Sequence, residues 1–468
     1  MRERFDFYGY NTPTSGKYYV DDETYFLGED YRSVKRYKEY KNVGFNIALL
    51  QHENEYKGED WKTSGCKKSM DAAFGAGIDK VIVSDKRLKD LCIEPLLVGE
   101  DGKFKSEEEL VAYIDDCTKT YRDHPAFYGL QLFDEPAFKY LKEYAHVYRA
   151  VKKVLPNVEM QCNLLNMVLH KTIAPDPENL QDRRKDFADY LTYFQKESGI
   201  NYLMTDEYAF RRNNVISPET VPVYQVLANV CKAQGVEMRL VMQSFSQEGN
   251  VIDNETGLME GGIAWRRITE RDMYWQMNLA MGFGCKEYSF FTYFTKIRKN
   301  FKGKRAVTDG IDGAAFINLD GSRTKLYYYT KRIIAQMRAF EPVILKYAYD
   351  DSYLFFPDGK GKDDFNATKM ILDQNKTCPI TAKNGKCPII VTELKNGSDS
   401  LFMVENIGNT MDELMHGVRA GLTEIDLSNL KGEINFYVKG KKVDRVIDGG
   451  KIKEKLRAGD ALFIEIKR

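Results

Sequence analysis

Eight times between residues 5 and 340, a short apolar segment of strand character is followed by a stretch of helical periodicity. Strands separated by helices pair in parallel, through right-handed crossovers, because a tight hairpin leaves no room for the intervening helix. The strand segments are Phe5–Tyr10, Gly44–Leu50, Ile78–Ser84, Ala126–Glu135, Val158–Leu164, Asn201–Thr205, Glu237–Met242 and Lys286–Phe294. Between and after them, helical spacing marks 30–41, 69–76, 106–122, 138–154, 183–197, 218–234, 269–283 and 322–339. Ser106 with Glu109 reads as a capping box, and Thr269 as a helix cap. Eight strand–helix units are the count of an α/β, (β/α)8 TIM barrel. A doubly wound open sheet is the alternative, but no GxGxxG or Walker run follows the first strand.

Beyond residue 341 the texture changes to short alternating strands, near 352–356, 389–394, 400–405, 432–438 and 460–466. Turn signals such as Asn396-Gly397, Asp448-Gly449 and Gly459-Asp460 divide them. This predicts a small C-terminal β-sandwich, with the barrel over 1–341 and the accessory domain over 342–468. The stretch 359–375 reads as a mobile loop.

Composition narrows the partners. Lys+Arg and Asp+Glu both total 69, so no excess of positive charge invites nucleic acid or an anionic membrane. No stretch reaches the about 20 apolar residues of a membrane-spanning helix. The charged start Met1-Arg2-Glu3-Arg4 has no apolar signal core, which points to the cytoplasm unless a leader has been trimmed. Eight scattered cysteines form no CxxC pair, so they read as reduced core residues rather than a zinc site. A local Cys378–Cys387 disulfide around Asn384-Gly385 is the alternative for that pair. No metal or organic cofactor is expected.

In such a barrel the chemistry sits where the strands end. The third strand ends in Asp85, and the fourth in Asp134-Glu135-Pro136. The sixth ends in Asp206-Glu207-Tyr208, the seventh in Gln243, and the eighth carries Tyr288, Thr292 and Tyr293. Adjacent carboxylates raise one another's pKa, and a carboxyl that keeps its proton near neutrality can act as a general acid. The competing reading of Asp134-Glu135-Pro136 is a helix cap. Two carboxylates across a pocket are what glycoside hydrolysis needs: one protonates the leaving oxygen, and the other attacks or activates water.

The element order and the run Asp134-Glu135-Pro136 resemble the clan A glycoside hydrolases, whose fourth strand commonly ends Asn-Glu-Pro. Further runs resemble bacterial glycoside-hydrolase-like proteins: Asp206-Glu207-Tyr208, Tyr288 to Phe294, and Trp275 to Ala280. The likeness covers the barrel well and the C-terminal domain loosely. It implies that Glu135 is the acid/base and that the ligand is a carbohydrate. The clan's nucleophile, a Glu ending the seventh strand, is replaced by Gln243. Three explanations stay open: a second carboxylate from Asp206 or Glu207, one from Glu248 on the following loop, or sugar binding without cleavage. Adjacent strand residues face opposite sides, and Asp206 shares a face with Tyr208, so Asp206 is the preferred partner. Pairing of either acid with Arg211 or Arg212 is the bland alternative. Asp134, Tyr208, Gln243, Asp85, Trp265 and Tyr293 are expected to position substrate, with Trp265 as a sugar platform. Asp85 has a rival reading as a partner of Lys86 or Arg87. Arg266 and Arg267 are candidates for an acidic sugar, Trp275 and the lone histidines His52 and His124 read as structural, and Trp61 is unassigned.

Overall fold

The computed structural model describes all residues except 1, 21–22, 27–28, 212–213, 248–250, 254–258, 261–264, 298–304, 308–310, 314, 358–376 and 412–420. Glu248, Arg212 and the loop expected over 359–375 therefore lie outside the described residues.

The eight expected strands are all present: β1 (Asp6–Gly9), β2 (Ala48–Leu50), β3 (Val81–Ser84), β4 (Phe127–Gln131), β5 (Glu159–Gln161), β6 (Tyr202–Glu207), β7 (Glu237–Gln243) and β8 (Glu287–Phe291). They pair in parallel in two runs, β2-β3-β4-β5 and β6-β7-β8-β1. Two single contacts close the ring. Leu164 bridges Thr205 between β5 and β6, and the Asn46 N–H donates to the Phe7 carbonyl (3.0 Å) between β1 and β2. A closed ring has no exposed sheet edge.

Around it lie α1 (Val34–Val43), α2 (Gly65–Gly75), α3 (Lys86–Leu91), α4 (Glu107–Thr118), α5 (Leu141–Val154), α6 (His170–Ile173), α7 (Arg183–Ser198), α8 (Thr220–Gln234), α9 (Glu270–Gly282) and α10 (Lys325–Ile344). Caps set several starts. Thr269 and Asp272 form a reciprocal capping box at α9. At α4 only half the box forms: the Ser106 hydroxyl accepts from the Glu109 N–H, while the Glu109 carboxylate accepts from the Lys105 N–H instead.

The C-terminal part is a two-sheet β-sandwich. One sheet holds β9 (Ala348–Phe355), β11 (Ile389–Asn396), β12 (Asp399–Asn406), β14 (Glu433–Val438), β15 (Lys441–Val443) and β17 (Ala461–Lys467), in the order β9-β11-β12-β17-β14-β15. The other holds β10 (Thr381–Asn384), β13 (Leu422–Asp426) and β16 (Lys451–Lys455). Asn384-Gly385 therefore joins strands of different sheets rather than closing a hairpin. All eight cysteines are free thiols, Cys378 and Cys387 included.

The core is one apolar cluster running from the barrel into the sandwich's near face, plus a second between the two sheets. Trp275, 1% exposed, lies in the first and packs edge-on against Phe210. Among the described residues no helix is long and apolar enough to cross a membrane.

Candidate active site

The fourth strand ends earlier than its sequence suggests. β4 stops at Gln131, and Asp134-Glu135 sit in a bend beyond it. Within that bend Glu135 is left-handed (φ 54°), outside the extended range of a strand. Asn11 (φ 53°), after β1, and His52 (φ 56°), after β2, share this conformation on the same rim. Left-handed non-glycine residues persist only where their surroundings hold them. At Glu135 the hold is the N–H, which donates to the Asn163 carbonyl (3.0 Å). Tyr190 of α7 adds a second clamp: its hydroxyl donates to the Pro136 carbonyl (2.5 Å) and accepts from the Leu165 N–H (3.3 Å). One buried phenol thus ties the Glu135 bend to the segment after β5.

Asp206 ends the inward face of β6, 5% exposed, in hydrogen-bond contact with the Glu135 carboxyl. Its carboxyl sits well above the ordinary carboxylate range. Burial is the main cause, followed by the Glu135 charge, the shared hydrogen bond, and the charges of Asp134 and Glu207. The Asn163 side chain donates to Asp206 (3.4 Å), and the Asn166 side chain donates to its carbonyl (2.8 Å). Glu207, the next residue, turns the other way toward α8. It accepts from the Thr220 hydroxyl (2.7 Å) and from Asn166 (3.3 Å). Burial raises its carboxyl to about 7, against the opposing pull of Thr220 and Arg211.

Glu135, Asp206, Glu207, Tyr208 and Trp265 line one pocket of about 200 Å³, together with Asn166 and Arg211. Aromatic rings form its wall. Tyr208 meets Phe245 edge-on (5.1 Å), Trp265 edge-on (5.9 Å) and Phe291 at a tilt (6.0 Å). The Trp265 indole N–H donates to the Tyr208 carbonyl (3.3 Å), and the Arg211 guanidinium stands 5.4 Å from its ring centre. Neither Asp206 nor Glu207 makes an ion pair with Arg211. Asp134 is close enough for its charge to act on Asp206.

Three expected site residues lie apart from this group. Asp85 caps α3, forks with Arg87 (2.7 and 3.0 Å) and accepts from the Tyr121 hydroxyl (3.0 Å), fully buried. Tyr293 is enclosed by Tyr40, Phe45 and Phe316. Gln243, 0% exposed, accepts from the Phe210 N–H (2.9 Å) and donates to the carbonyls of Phe210, Phe245 and Arg266. It staples the loops after β6 and β7. Arg266 forks onto Asp272 at 2.7 Å and reaches Thr410 of the sandwich (3.1 Å), so it faces a carboxylate rather than the pocket.

Asn163 and Asn166 are site residues that the sequence reading passed over. Their signal was present: two asparagines three residues apart at the end of the fifth strand and just beyond it, at the end where function collects. Among the described residues no group of three or more His, Cys, Asp or Glu side chains is arranged to hold a metal ion.

No protein-family model and no curated protein matches the chain. Solved structures do. A GH42 β-galactosidase from G. stearothermophilus superposes with a TM-score of 0.55 at 9% identity, over 100% of this chain and 99% of that one. An α-amylase from Geobacillus thermoleovorans, complexed with acarbose, gives 0.50 at 11% identity over 100% and 98%. A GH27 β-L-arabinopyranosidase from Geobacillus stearothermophilus, in complex with arabinose, gives 0.50 at 10% identity over 99% and 97%. At such identities the likeness speaks to the fold alone: this chain has a (β/α)8 barrel followed by a β-sandwich, an architecture it shares with glycoside hydrolases.

Proposed function

We propose that the chain is a glycoside hydrolase of the clan A type, with Glu135 and Asp206 as its working carboxyls. The observation that carries this reading is the contact between them at the carboxyl ends of β4 and β6, beside an aromatic wall. Two carboxyls in hydrogen-bond contact hold one proton between them. Burial and the neighbouring acids raise the Asp206 carboxyl and favour it as the proton's holder, while Glu135 lies on the solvent side. This reverses the roles that the resemblance alone implies. Asp206 then protonates the glycosidic oxygen as the C–O bond breaks, and Glu135 attacks the anomeric carbon, to be released by water. A pair in contact stands closer than the ~5–5.5 Å of retaining enzymes and the ~6.5–9.5 Å of inverting ones, so a sugar entering the site has to part the two carboxyls, whose separation lies nearer the retaining range. Tyr208 and Trp265 offer faces for a sugar ring, and Asn163 and Asn166 orient Asp206. Within this reading, residues 1–341 are the catalytic unit and 342–468 an accessory one.

A panel of aryl glycosides and oligosaccharides tests it. Asp206→Asn is expected to spare aryl glycosides with good leaving groups while losing natural linkages. Glu135→Ala is expected to lose both and to regain turnover with azide, as a glycosyl azide. A second reading is a sugar-binding barrel without catalysis. It is favoured by Gln243, a non-acidic side chain fully engaged with backbone where the clan keeps its nucleophile. Sugar binding without turnover on any substrate would select that reading.

A further inference from the structure

On the face of the barrel opposite Glu135 and Asp206, a pocket of about 390 Å³ opens beside the N-terminal ends of β7 and β8, where α10 hands the chain to the sandwich. Its wall is largely apolar, with Ala228 and Cys231 of α8, Met238, Phe283, Leu345 and Tyr349. Its charged groups are Arg2, Lys232, Lys286 and Lys346 against a single acid, Glu237.

Two of these cations are already matched. Arg2 pairs with Glu237 (2.7 Å), and Lys232 pairs with Asp350. Lys286 is not matched. Its ammonium donates to the carbonyls of Tyr347 (3.1 Å) and Ile344 (3.4 Å), at the end of α10. Among the described residues neither Lys286 nor Lys346 has a carboxylate within ion-pair distance. Carbonyl dipoles at a helix C-terminus favour a cation, but a buried ammonium without a counter-ion still costs stability.

We propose that this pocket binds a small amphipathic anion, an aliphatic or aromatic carboxylate whose charge meets Lys286 and whose apolar body packs against the α8 and Phe283 wall. The volume falls in the ~300–1,000 Å³ range of small-molecule sites, which pair an apolar lining with a few fixed polar groups. A bare inorganic anion would leave that lining unused. The proposal stands on this pocket alone and is independent of the chemistry at Glu135 and Asp206.

Titration adds a handle. Burial lowers the Lys286 ammonium to about 8, with Arg2 pushing the same way and Cys285 and Glu237 opposing. The other charged or titratable groups around the pocket are Cys231 and Lys232 from α8, and Lys346, Tyr347 and Tyr349 from the segment entering the sandwich.

Octanoate, octan-1-ol and inorganic phosphate, each titrated into the full chain by calorimetry and by thermal unfolding, test the site. Octanoate is expected to bind at pH 7 and raise Tm, and to weaken at least about tenfold by pH 9.5, where Lys286 is neutral. Lys286→Met is expected to weaken it by a similar factor at pH 7, whereas Lys232→Ala, which removes a matched cation, changes it far less. Should Lys286→Met not fold, the pH series on the native chain decides. Octanoate without measurable binding, binding indifferent to both pH and Lys286→Met, or equal binding of octan-1-ol or phosphate at pH 7 would each overturn the proposal.

Discussion

The two ends of this barrel both gather buried acids, and they treat them oppositely. At the N-terminal end Arg239, 3% exposed, lies between Glu159 (2.6 Å), Glu237 (3.0 Å) and Glu287 (3.3 Å), with its guanidinium 3.5 Å from the Tyr202 ring centre. Arg2 reaches Asp6 (2.6 Å), Glu237 (2.7 Å) and Glu287 (2.9 Å). Burial pushes the Asp6 carboxyl up, yet Arg2 and Lys80 hold it below its ordinary value. At the other end Asp206 meets Glu135, with the charges of Asp134 and Glu207 nearby, and neither Asp206 nor Glu207 makes an ion pair with Arg211, the cation beside them. Asp206 and Glu207 are both pushed up. Matched charge fixes the geometry of a closed ring. Unmatched acid stores protons at the cost of stability, which is the pattern of a site kept for chemistry.

Substitutions can break this contrast. The largest effect expected is on turnover: Glu135→Gln lowers kcat/KM on a responsive aryl glycoside roughly 10³–10⁴-fold, about 4–5.5 kcal/mol. Its fold is retained, as a denaturant titration would check. Next is Arg239→Met at the other end, which strands Glu159 and leaves Glu237 and Glu287 to Arg2 alone, and is expected to cost about 3–5 kcal/mol by denaturant unfolding. A change near zero would mean that the network is not holding the ring.

Glu207→Gln is expected to act in the opposite direction. A carboxyl titrating at about 7 rather than its ordinary 4.5 contributes its full stability below 4.5 and withdraws it as pH rises to 7. The native chain should therefore lose up to about 3 kcal/mol across pH 4.5–7 that the variant keeps. The smallest effect comes from the sandwich. Glu405 of β12 is 0% exposed and, among the described residues, neither carboxylate oxygen has a hydrogen-bond partner. Burial raises it well above 4.5, so its stability too is lost as pH rises from that value. Glu405→Met is expected to stabilise the chain by about 1–2 kcal/mol at pH 7 in thermal unfolding.

Much of the fold was legible because its signals are local. The strand–helix alternation needs only side-chain periodicity, and Thr269 with Asp272 announces α9 within four residues. The acids at the ends of the fourth and sixth strands were legible for the same reason. Other features were not. Gln243 occupies a strand end as a site residue would, but its partners Phe210 and Arg266 lie 33 and 23 residues away in sequence; Asp85 takes Arg87, the rival reading its sequence offered, and adds Tyr121, 36 residues on. The left-handed bend at Glu135 was equally hidden, because Asn163 and Tyr190 hold it from segments 28 and 54 residues away in sequence, counted to Asn163 and from Pro136 to Tyr190.

By itself the sequence determined the number and kind of elements and put acids, amides and aromatic rings at one rim. It could do so because periodicity and strand-end position depend on residues adjacent along the chain. Only the tertiary structure decided that Asp206, the partner strand alternation favoured, meets the Glu135 carboxyl, and that Lys286 stands, among the described residues, without a counter-ion at the opposite end. Those outcomes turn on distance and dielectric between segments far apart in sequence, and closing the ring is what sets both.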